Sequence, residues 1–234
     1  MKCNVDIVFL VDATGSMQPC IDNLKDRADA FFREMARPDS YDSISPVKDW
    51  RAKIVGFRDY EYDGPEKWFV DNMFTRDTVE LQRQLSALEA IGGGDQQESL
   101  LDAVCKVADM GESAYGEEHP NRWRARQDAA RLLFVFTDAP YKPTMSLPGL
   151  SGGGIREVRY VCVANRIQIT VFAPRGGQTD EQYELIEDIR YGQWVKMPRA
   201  EDGGVDWREL DVRTLFMPLG RLHFTEVDPP CGYL

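Results

Sequence analysis

Two short apolar runs that each end at an aspartate constrain the fold more than any other feature of this sequence. Ile7–Val11 (IVFLV) leads into Asp12, and Leu132–Phe136 (LLFVF) leads through Thr137 into Asp138. Continuous apolar runs this short, bounded by polar turn residues, are typical of strands that are buried on both faces. Strands are buried in this way when helices cover both faces of a parallel sheet, so the runs predict an α/β fold.

Segments with helical spacing alternate with the predicted strands. Apolar residues recur at intervals of three and four in segments that begin after Pro19 and that cover 75–90, 98–110, 155–165 and 180–189. Further strands are predicted over 53–60, 68–74, 167–172 and 193–197. Asp63-Gly64 is a hairpin signal, so strand 68–74 is expected to return antiparallel at an edge. The pattern predicts a doubly wound, mostly parallel six-stranded sheet with helices on both faces.

The chain is expected to form a single domain over residues 1–234. Its 234 residues, 43% of them hydrophobic, supply ample material for one core, and no linker or repeat interrupts them. The core is predicted over residues 3 to about 200, with a C-terminal extension over 201–234 in which residues 206–220 form a closing helix. Residues 111–129 are polar and are predicted to form an exposed, partly helical connection.

The charge balance excludes several classes of partner. With 39 acidic and 28 basic residues, the net charge is −11, which disfavours binding to nucleic acid and to anionic membrane surfaces. No apolar run approaches the roughly 20 residues that span a bilayer, and the N-terminal run is too short for a secretory signal. The five cysteines are scattered without a C-x-x-C pattern, which indicates reduced thiols in a cytoplasmic protein.

The aspartates that end the two runs are expected to lie side by side. In a doubly wound sheet of strand order 3-2-1-4-5-6, ligands bind beyond the carboxyl ends of strands 1 and 4, where the order reverses. Asp12 ends strand 1, Asp138 follows strand 4, and Thr14 and Ser16 come shortly after Asp12. Carboxylates and hydroxyls form a hard oxygen site, which favours Mg²⁺, with Ca²⁺ or Mn²⁺ as alternatives.

The sequence DATGS (Asp12–Ser16) resembles the D-x-[ST]-x-S motif of von Willebrand factor A (vWA) domains, which carry a metal-ion-dependent adhesion site (MIDAS). The later elements of that family are a glycine-rich loop bearing a threonine and an apolar strand that ends in Thr-Asp. GGGDQQESL and LLFVFTDAP stand in those places, in the same order, and the resemblance covers residues 3 to about 200.

The resemblance implies that Thr14 and Ser16 bind the metal directly, and that Asp12 and Asp138 bind it directly or through water. Asp95 departs from the pattern, because it stands where the family commonly has threonine. A third carboxylate would more than neutralise a divalent cation, so tighter metal binding and weaker attraction of an acidic ligand group are expected. The alternative role for Asp95 is to cap the helix that follows it.

The phrase DATGSM and the GGGD loop resemble those of stand-alone intracellular vWA proteins. This implies a non-enzymatic, metal-dependent interaction module whose protein partner belongs to an AAA+ ATPase, kinase or stress-response complex. The alternative is a Mg²⁺-dependent phosphohydrolase or phosphotransferase with Asp12 as nucleophile, because VDATGS also resembles the nucleophile loop of haloacid dehalogenases. Thr14 stands where that chemistry needs a second acid. RNA binding, known in some vWA proteins, is disfavoured by the net charge of −11.

The stretch FRDYEYDG (residues 57–64) allows two interpretations. It follows a predicted strand and lies near the same edge of the sheet as the candidate site. Its arginine and tyrosines could form a rim that contacts a partner, since exposed Arg and Tyr often anchor interfaces. The other interpretation is an ordinary solvated hairpin.

Overall fold

A central sheet organises the structure, a computed structural model that describes residues 3–36, 47–94, 96–176, 179–201 and 205–210. Within these residues the sheet has six strands in the order β3-β2-β1-β4-β5-β6. The strands are β1 (Cys3–Asp12), β2 (Val47–Phe57), β3 (Phe69–Val70), β4 (Ala130–Phe136), β5 (Ile167–Pro174) and β6 (Gln193–Met197). The β2–β3 pair is antiparallel and the other pairs are parallel. The predicted doubly wound α/β fold, with an antiparallel third strand at one edge, is confirmed.

Helices cover both faces of the sheet. The α-helices of the described chain are α1 (Gln18–Ala36), α2 (Tyr60–Asp63), α3 (Thr78–Ser86), α4 (Leu100–Ala108), α5 (Ile155–Ala164) and α6 (Thr179–Glu187). One apolar core lies between the sheet and helices α1 and α3, and a second lies between the sheet and helices α4, α5 and α6. No helix in the described part of the chain is long and apolar enough to cross a bilayer.

Strand β1 contributes side chains to both cores. Ile7 and Phe9 lie in the core beneath α1 and α3, whereas Val8 and Leu10 lie in the core beneath α4 to α6. Successive side chains of a strand point to opposite faces, so the central part of a strand covered on both sides is apolar at consecutive positions. Burying each such side chain stabilises the fold by about 1.5–3 kcal/mol, which is why the run contains no polar residue.

The connection from β2 to β3 differs from the predicted hairpin. Asp59 accepts a hydrogen bond from the Glu61 amide and thereby caps a single helical turn, α2. Gly64 ends that turn with φ at 78°, a left-handed conformation that favours glycine. The antiparallel strand that follows is only Phe69–Val70, which is shorter than the predicted strand over 68–74.

Residues 111–129, all of which the structure describes, contain no helix, so the partly helical prediction is wrong. This connection is held instead by buried side chains at the amino end of the sheet. Trp123 is fully buried, and Arg124 donates hydrogen bonds from its amide and its guanidinium to the buried Asp6 carboxylate. These tertiary contacts fix the segment without any regular backbone pattern.

The C-terminal extension was predicted to begin near residue 201 and to contain a closing helix over residues 206–220. Its described part forms a short 3₁₀ helix at Trp207–Glu209, whose tryptophan packs in the core beneath α1 and α3. Residues 211–234 lie outside the described residues, so the remainder of that prediction stays a prediction.

Candidate metal centre

Asp12 lies at the carboxyl end of β1 and is fully buried. Its Oδ1 accepts hydrogen bonds from the Thr14 amide at 2.9 Å and from Thr14 Oγ1 at 2.7 Å. Its Oδ2 accepts a hydrogen bond from Thr137 Oγ1 at 2.8 Å. One carboxylate therefore joins the loop after β1 to the loop after β4, where the order of the sheet reverses. Thr137 belongs to this cluster although sequence reasoning left it out; its place beside Asp138 in the Thr-Asp pair was the available signal.

Ser16 and Asp138 complete the cluster on its outer side. Ser16 is exposed, and its Oγ donates a hydrogen bond to Asp138 Oδ1 at 3.0 Å. The structure thus brings Asp12, Thr14, Ser16 and Asp138 to one point on the carboxyl edge of the sheet. Asp95 lies outside the described residues, and the role of all these residues as metal ligands stays a prediction.

The surroundings of Asp12 and Asp138 disfavour the ionised form of both carboxyl groups. Burial, and to a lesser degree the neighbouring Asp138 charge, raises the pKa of Asp12 from 3.8 to about 7. Burial also raises the pKa of Asp138, although the Ser16 hydrogen bond and the positive charge of Arg199 oppose that change. Like charges that share a desolvated site disfavour each other's ionised form, and a bound cation reverses that effect.

The donor set fits a hard divalent cation. Carboxylate and hydroxyl oxygens are the ligands that Mg²⁺ and Ca²⁺ prefer, and the raised pKa of Asp12 marks a site short of positive charge. Among the described residues, no group of three or more His, Cys, Asp or Glu side chains is suitably placed to hold a metal. The site would therefore depend on two carboxylates, two hydroxyls and any contribution from Asp95.

The glycine-rich loop packs tightly against the loop that follows β1. Gly15 donates a backbone hydrogen bond to the Gly92 carbonyl at 3.4 Å. A Cβ at position 93 would lie 3.1 Å from Thr14 Cβ and 3.2 Å from Glu98 Oε1, and Gly93 has φ at 76°. Glycine is required at position 93 for both backbone conformation and space, and it lets the loop approach Thr14 closely.

Gly93→Ala is therefore expected to weaken binding of Mg²⁺, because the added methyl group displaces Thr14. Gly116→Ala is the matched control: Gly116 also has φ at 76°, but a Cβ there would meet nothing within 4 Å. Both variants should lose roughly 1–2 kcal/mol of unfolding free energy from the left-handed backbone. Calorimetric titration with Mg²⁺ should show weaker binding in Gly93→Ala alone; equal affinities in the two variants would contradict this account.

The capping role considered for Asp95 is wrong. Helix α4 begins at Leu100, and Ser99 is its N-cap residue. An N-cap side chain accepts from amides two or three residues further along, which places residue 95 too early in the chain to cap α4.

The stretch FRDYEYDG is neither a continuous exposed rim nor an ordinary solvated hairpin. Arg58 is only 8% exposed, and its guanidinium donates hydrogen bonds to the carbonyls of Ala13, Lys67 and Glu89. Arg58 therefore holds three backbone segments together and is not part of an exposed surface that could contact a partner. Tyr62, at 65% exposure, does face outward beside the glycine-rich loop.

Comparisons with known proteins agree with this fold. No family model matches the chain. Alpha-protein kinase vwkA of Dictyostelium discoideum is 27% identical over 159 residues, which are 65% of this chain and 22% of that protein. The chain therefore spans about a fifth of the curated relative that it matches.

Two solved structures are similar over most of the chain. The SpRpn10 VWA domain has a TM-score of 0.53 at 12% identity, with 84% of this chain and 89% of that chain covered. Proximal thread matrix protein 1 from the mussel byssus has a TM-score of 0.55 at 12% identity, covering 94% of this chain and 46% of that one. The fold is that of a vWA domain.

Proposed function

We propose that this protein is a metal-dependent protein-interaction module with a MIDAS-like centre at the carboxyl edge of its sheet. The observation that carries the proposal is a pair of carboxylates, the buried Asp12 and the partly buried Asp138, which lie with hydroxyl groups where the order of a vWA-type sheet reverses. The cation is Mg²⁺, with Ca²⁺ or Mn²⁺ as alternatives of the same oxygen-seeking class.

The residues that would hold the cation are Asp12, Thr14, Ser16 and Asp138, with Asp95 as a further carboxylate. When bound, the metal supplies positive charge to a desolvated acidic cluster and a coordination position for an oxygen of a partner protein. The protein holds the carboxylates in place: Thr14 and Thr137 fix both oxygens of Asp12, and Ser16 fixes Asp138.

A binding role is favoured over phosphoryl transfer by the position of Asp12. A nucleophilic carboxylate must contact the atom that it attacks, whereas Asp12 is 0% exposed and both of its oxygens accept hydrogen bonds within the protein. A carboxylate held in this way can still act on a cation through the Thr14 hydroxyl or a water molecule. The residue two positions further on is Thr14, which cannot serve as the general acid of that chemistry. The proposed module is therefore non-enzymatic.

The proposed partner is a protein in a cytoplasmic AAA+ ATPase, kinase or stress-response complex, as the resemblance to stand-alone vWA proteins implies. The net charge of −11 supports a protein partner over nucleic acid or an anionic membrane. Affinity purification in Mg²⁺ and in chelator tests this: a specific partner should be retained with Mg²⁺ and lost with chelator. A partner retained equally in both conditions would contradict metal dependence.

Asp95→Thr is expected to weaken Mg²⁺ binding, since one negative charge leaves a site held together by charge. The same variant should bind an acidic partner group more tightly, because the metal regains net positive character. Loss of folding would not produce two opposite effects, so titration with Mg²⁺ and comparison of melting temperatures separate the explanations. Equal Mg²⁺ affinities in the two proteins would show that Asp95 lies outside the metal shell.

A further inference from the structure

The Asp59 carboxylate, just beyond the carboxyl end of β2, accepts hydrogen bonds from three different segments of the chain. Its Oδ1 accepts hydrogen bonds from the Glu61 amide at 3.0 Å and from Ser99 Oγ at 3.2 Å. Lys142 Nζ donates to Asp59 Oδ1 at 2.9 Å and to Oδ2 at 2.8 Å. These partners come from the loop after β2, the segment that leads into α4 and the loop after β4.

The pair is largely withdrawn from water. The Asp59 side chain is 2% exposed and the Lys142 side chain is 11% exposed. Lys142 Nζ also donates to Glu61 Oε2 at 2.9 Å, and Glu61 Oε1 accepts a hydrogen bond from Ser146 Oγ at 2.8 Å. A buried charge pair with further hydrogen bonds fixes one geometry, because every alternative arrangement leaves a charge desolvated and unpaired.

Hydrogen bonds from backbone amides also connect the three segments around the Asp59–Lys142 pair. The Glu98 amide donates to the Pro140 carbonyl at 3.0 Å, and the Lys142 amide donates to the Glu98 carbonyl at 2.9 Å. The Tyr60 amide donates to Ser99 Oγ at 2.9 Å. The loop that carries Asp138 and the segment that follows the glycine-rich loop are therefore held against each other a few residues from the metal-site side chains.

We propose that Asp59 and Lys142 form a latch that locks these three loops together and preorganises the metal centre. Both are positioning residues, which act through the loops that carry the site. The part of this inference that concerns the metal rests on the proposed function. Groups that orient a metal site without binding the metal commonly change metal affinity by 10–100-fold when they are mutated.

The test compares Lys142→Met with Lys53→Met. Lys53 is a matched control, because its side chain is 1% exposed and its Nζ lies 2.6 Å from Asp71, yet it lies within β2, opposite Val8 of β1. Methionine keeps most of the side-chain volume and removes the charge. Hydrogen exchange of the metal-free proteins should show the amides of Tyr60, Glu98 and residue 142 accelerated together, by roughly tenfold or more, in Lys142→Met and not in Lys53→Met.

Asp59→Asn provides a second variant that retains one acceptor oxygen, and it should accelerate the same amides. In both latch variants Mg²⁺ affinity should fall by about 10–100-fold with unchanged stoichiometry, whereas Lys53→Met should bind as the wild type does. The latch is rejected if the three amides keep wild-type exchange rates in both latch variants, or if Lys53→Met accelerates them equally. Wild-type protein that binds no Mg²⁺ would overturn the proposed function, whereas exchange in the metal-free proteins would still decide whether the latch exists.

Discussion

Asp12→Asn is expected to abolish Mg²⁺ binding while making the metal-free protein more stable above neutral pH. Asparagine keeps the shape of the side chain, so its oxygen still accepts from the Thr14 amide and hydroxyl. The Thr137 hydroxyl, which donates to Asp12 Oδ2, can turn to accept from the new amide group. The substitution therefore removes a buried charge with little loss of hydrogen bonding.

The sign of the stability change follows from the pKa of Asp12. Burial and Asp138 raise that pKa from 3.8 to about 7, so the folded state holds the proton more tightly than the unfolded state does. This group favours folding most below its unfolded pKa, and its contribution is lost as the pH rises through about 7. At about pH 8 the charge costs on the order of 4 kcal/mol, at about 1.4 kcal/mol for each pKa unit.

Thermal unfolding of the two metal-free proteins between about pH 4 and 8 measures this effect. The wild type should lose stability as the pH rises, Asp12→Asn should lose less, and the melting temperatures should differ by about 10 °C at the upper end. Added Mg²⁺ should stabilise the wild type and leave the variant unchanged. A variant that is less stable than metal-free wild type at pH 8 would show that the buried charge is not the dominant cost.

Asp6→Asn is expected to lower the free energy of unfolding by about 3–5 kcal/mol, because it breaks a buried ion network. Asp6 is 0% exposed, and its Oδ2 accepts from Arg51 Nη2 at 2.8 Å and from the Arg124 amide at 2.6 Å. At the same time its Oδ1 accepts from Arg51 Nε at 2.8 Å and from Arg124 Nε at 2.7 Å. Whichever oxygen is replaced, the NH₂ group of asparagine would face two donors. Arg51 would lose its ion pair with Asp6, and Arg124 would keep only its ion pairs with Asp49 and Glu118.

Glu80→Gln is the control for this prediction, since Glu80 pairs with Arg83 on the exposed surface of α3. Its free energy of unfolding should be nearly unchanged, because water and salt screen such pairs. Urea denaturation measures both variants. Asp6 lies at the amino end of β1, away from the candidate metal centre, so folded Asp6→Asn should keep its Mg²⁺ affinity; a loss of affinity would indicate that the two ends of the sheet are coupled.

The sheet could be predicted because its signal is local. The runs that become β1 and β4 are apolar at every position, and only a strand buried on both faces needs that pattern. The grouping of Asp12 with Asp138 followed from the same reasoning, because parallel strands on either side of the point where the sheet order reverses end at one edge. Fold class and cluster were thus accessible from side-chain type and spacing alone.

The features that sequence reasoning missed depend on contacts between residues that are distant in the chain. The sequence suggests that Arg58 is exposed and could anchor a partner, whereas in the structure it is buried against three backbone carbonyls. By its sequence context Asp59 is a typical turn residue, yet it caps α2 and binds Lys142, which is 83 positions away. Residues 111–129 have the composition of a solvated loop, and their fixed course depends on long-range contacts such as those of Arg124 with Asp6 and of Trp123 with the Val107 carbonyl. Such pairings carry no periodic signal.

Titration of the purified chain with Mn²⁺, followed by electron paramagnetic resonance, tests whether the carboxyl edge of the sheet holds one divalent cation. We expect one bound Mn²⁺ per chain, displaced by excess Mg²⁺, absent in Asp138→Asn and retained in folded Asp6→Asn. Wild-type protein that binds no Mn²⁺, or Asp138→Asn that binds one equivalent as tightly as wild type, would contradict this expectation.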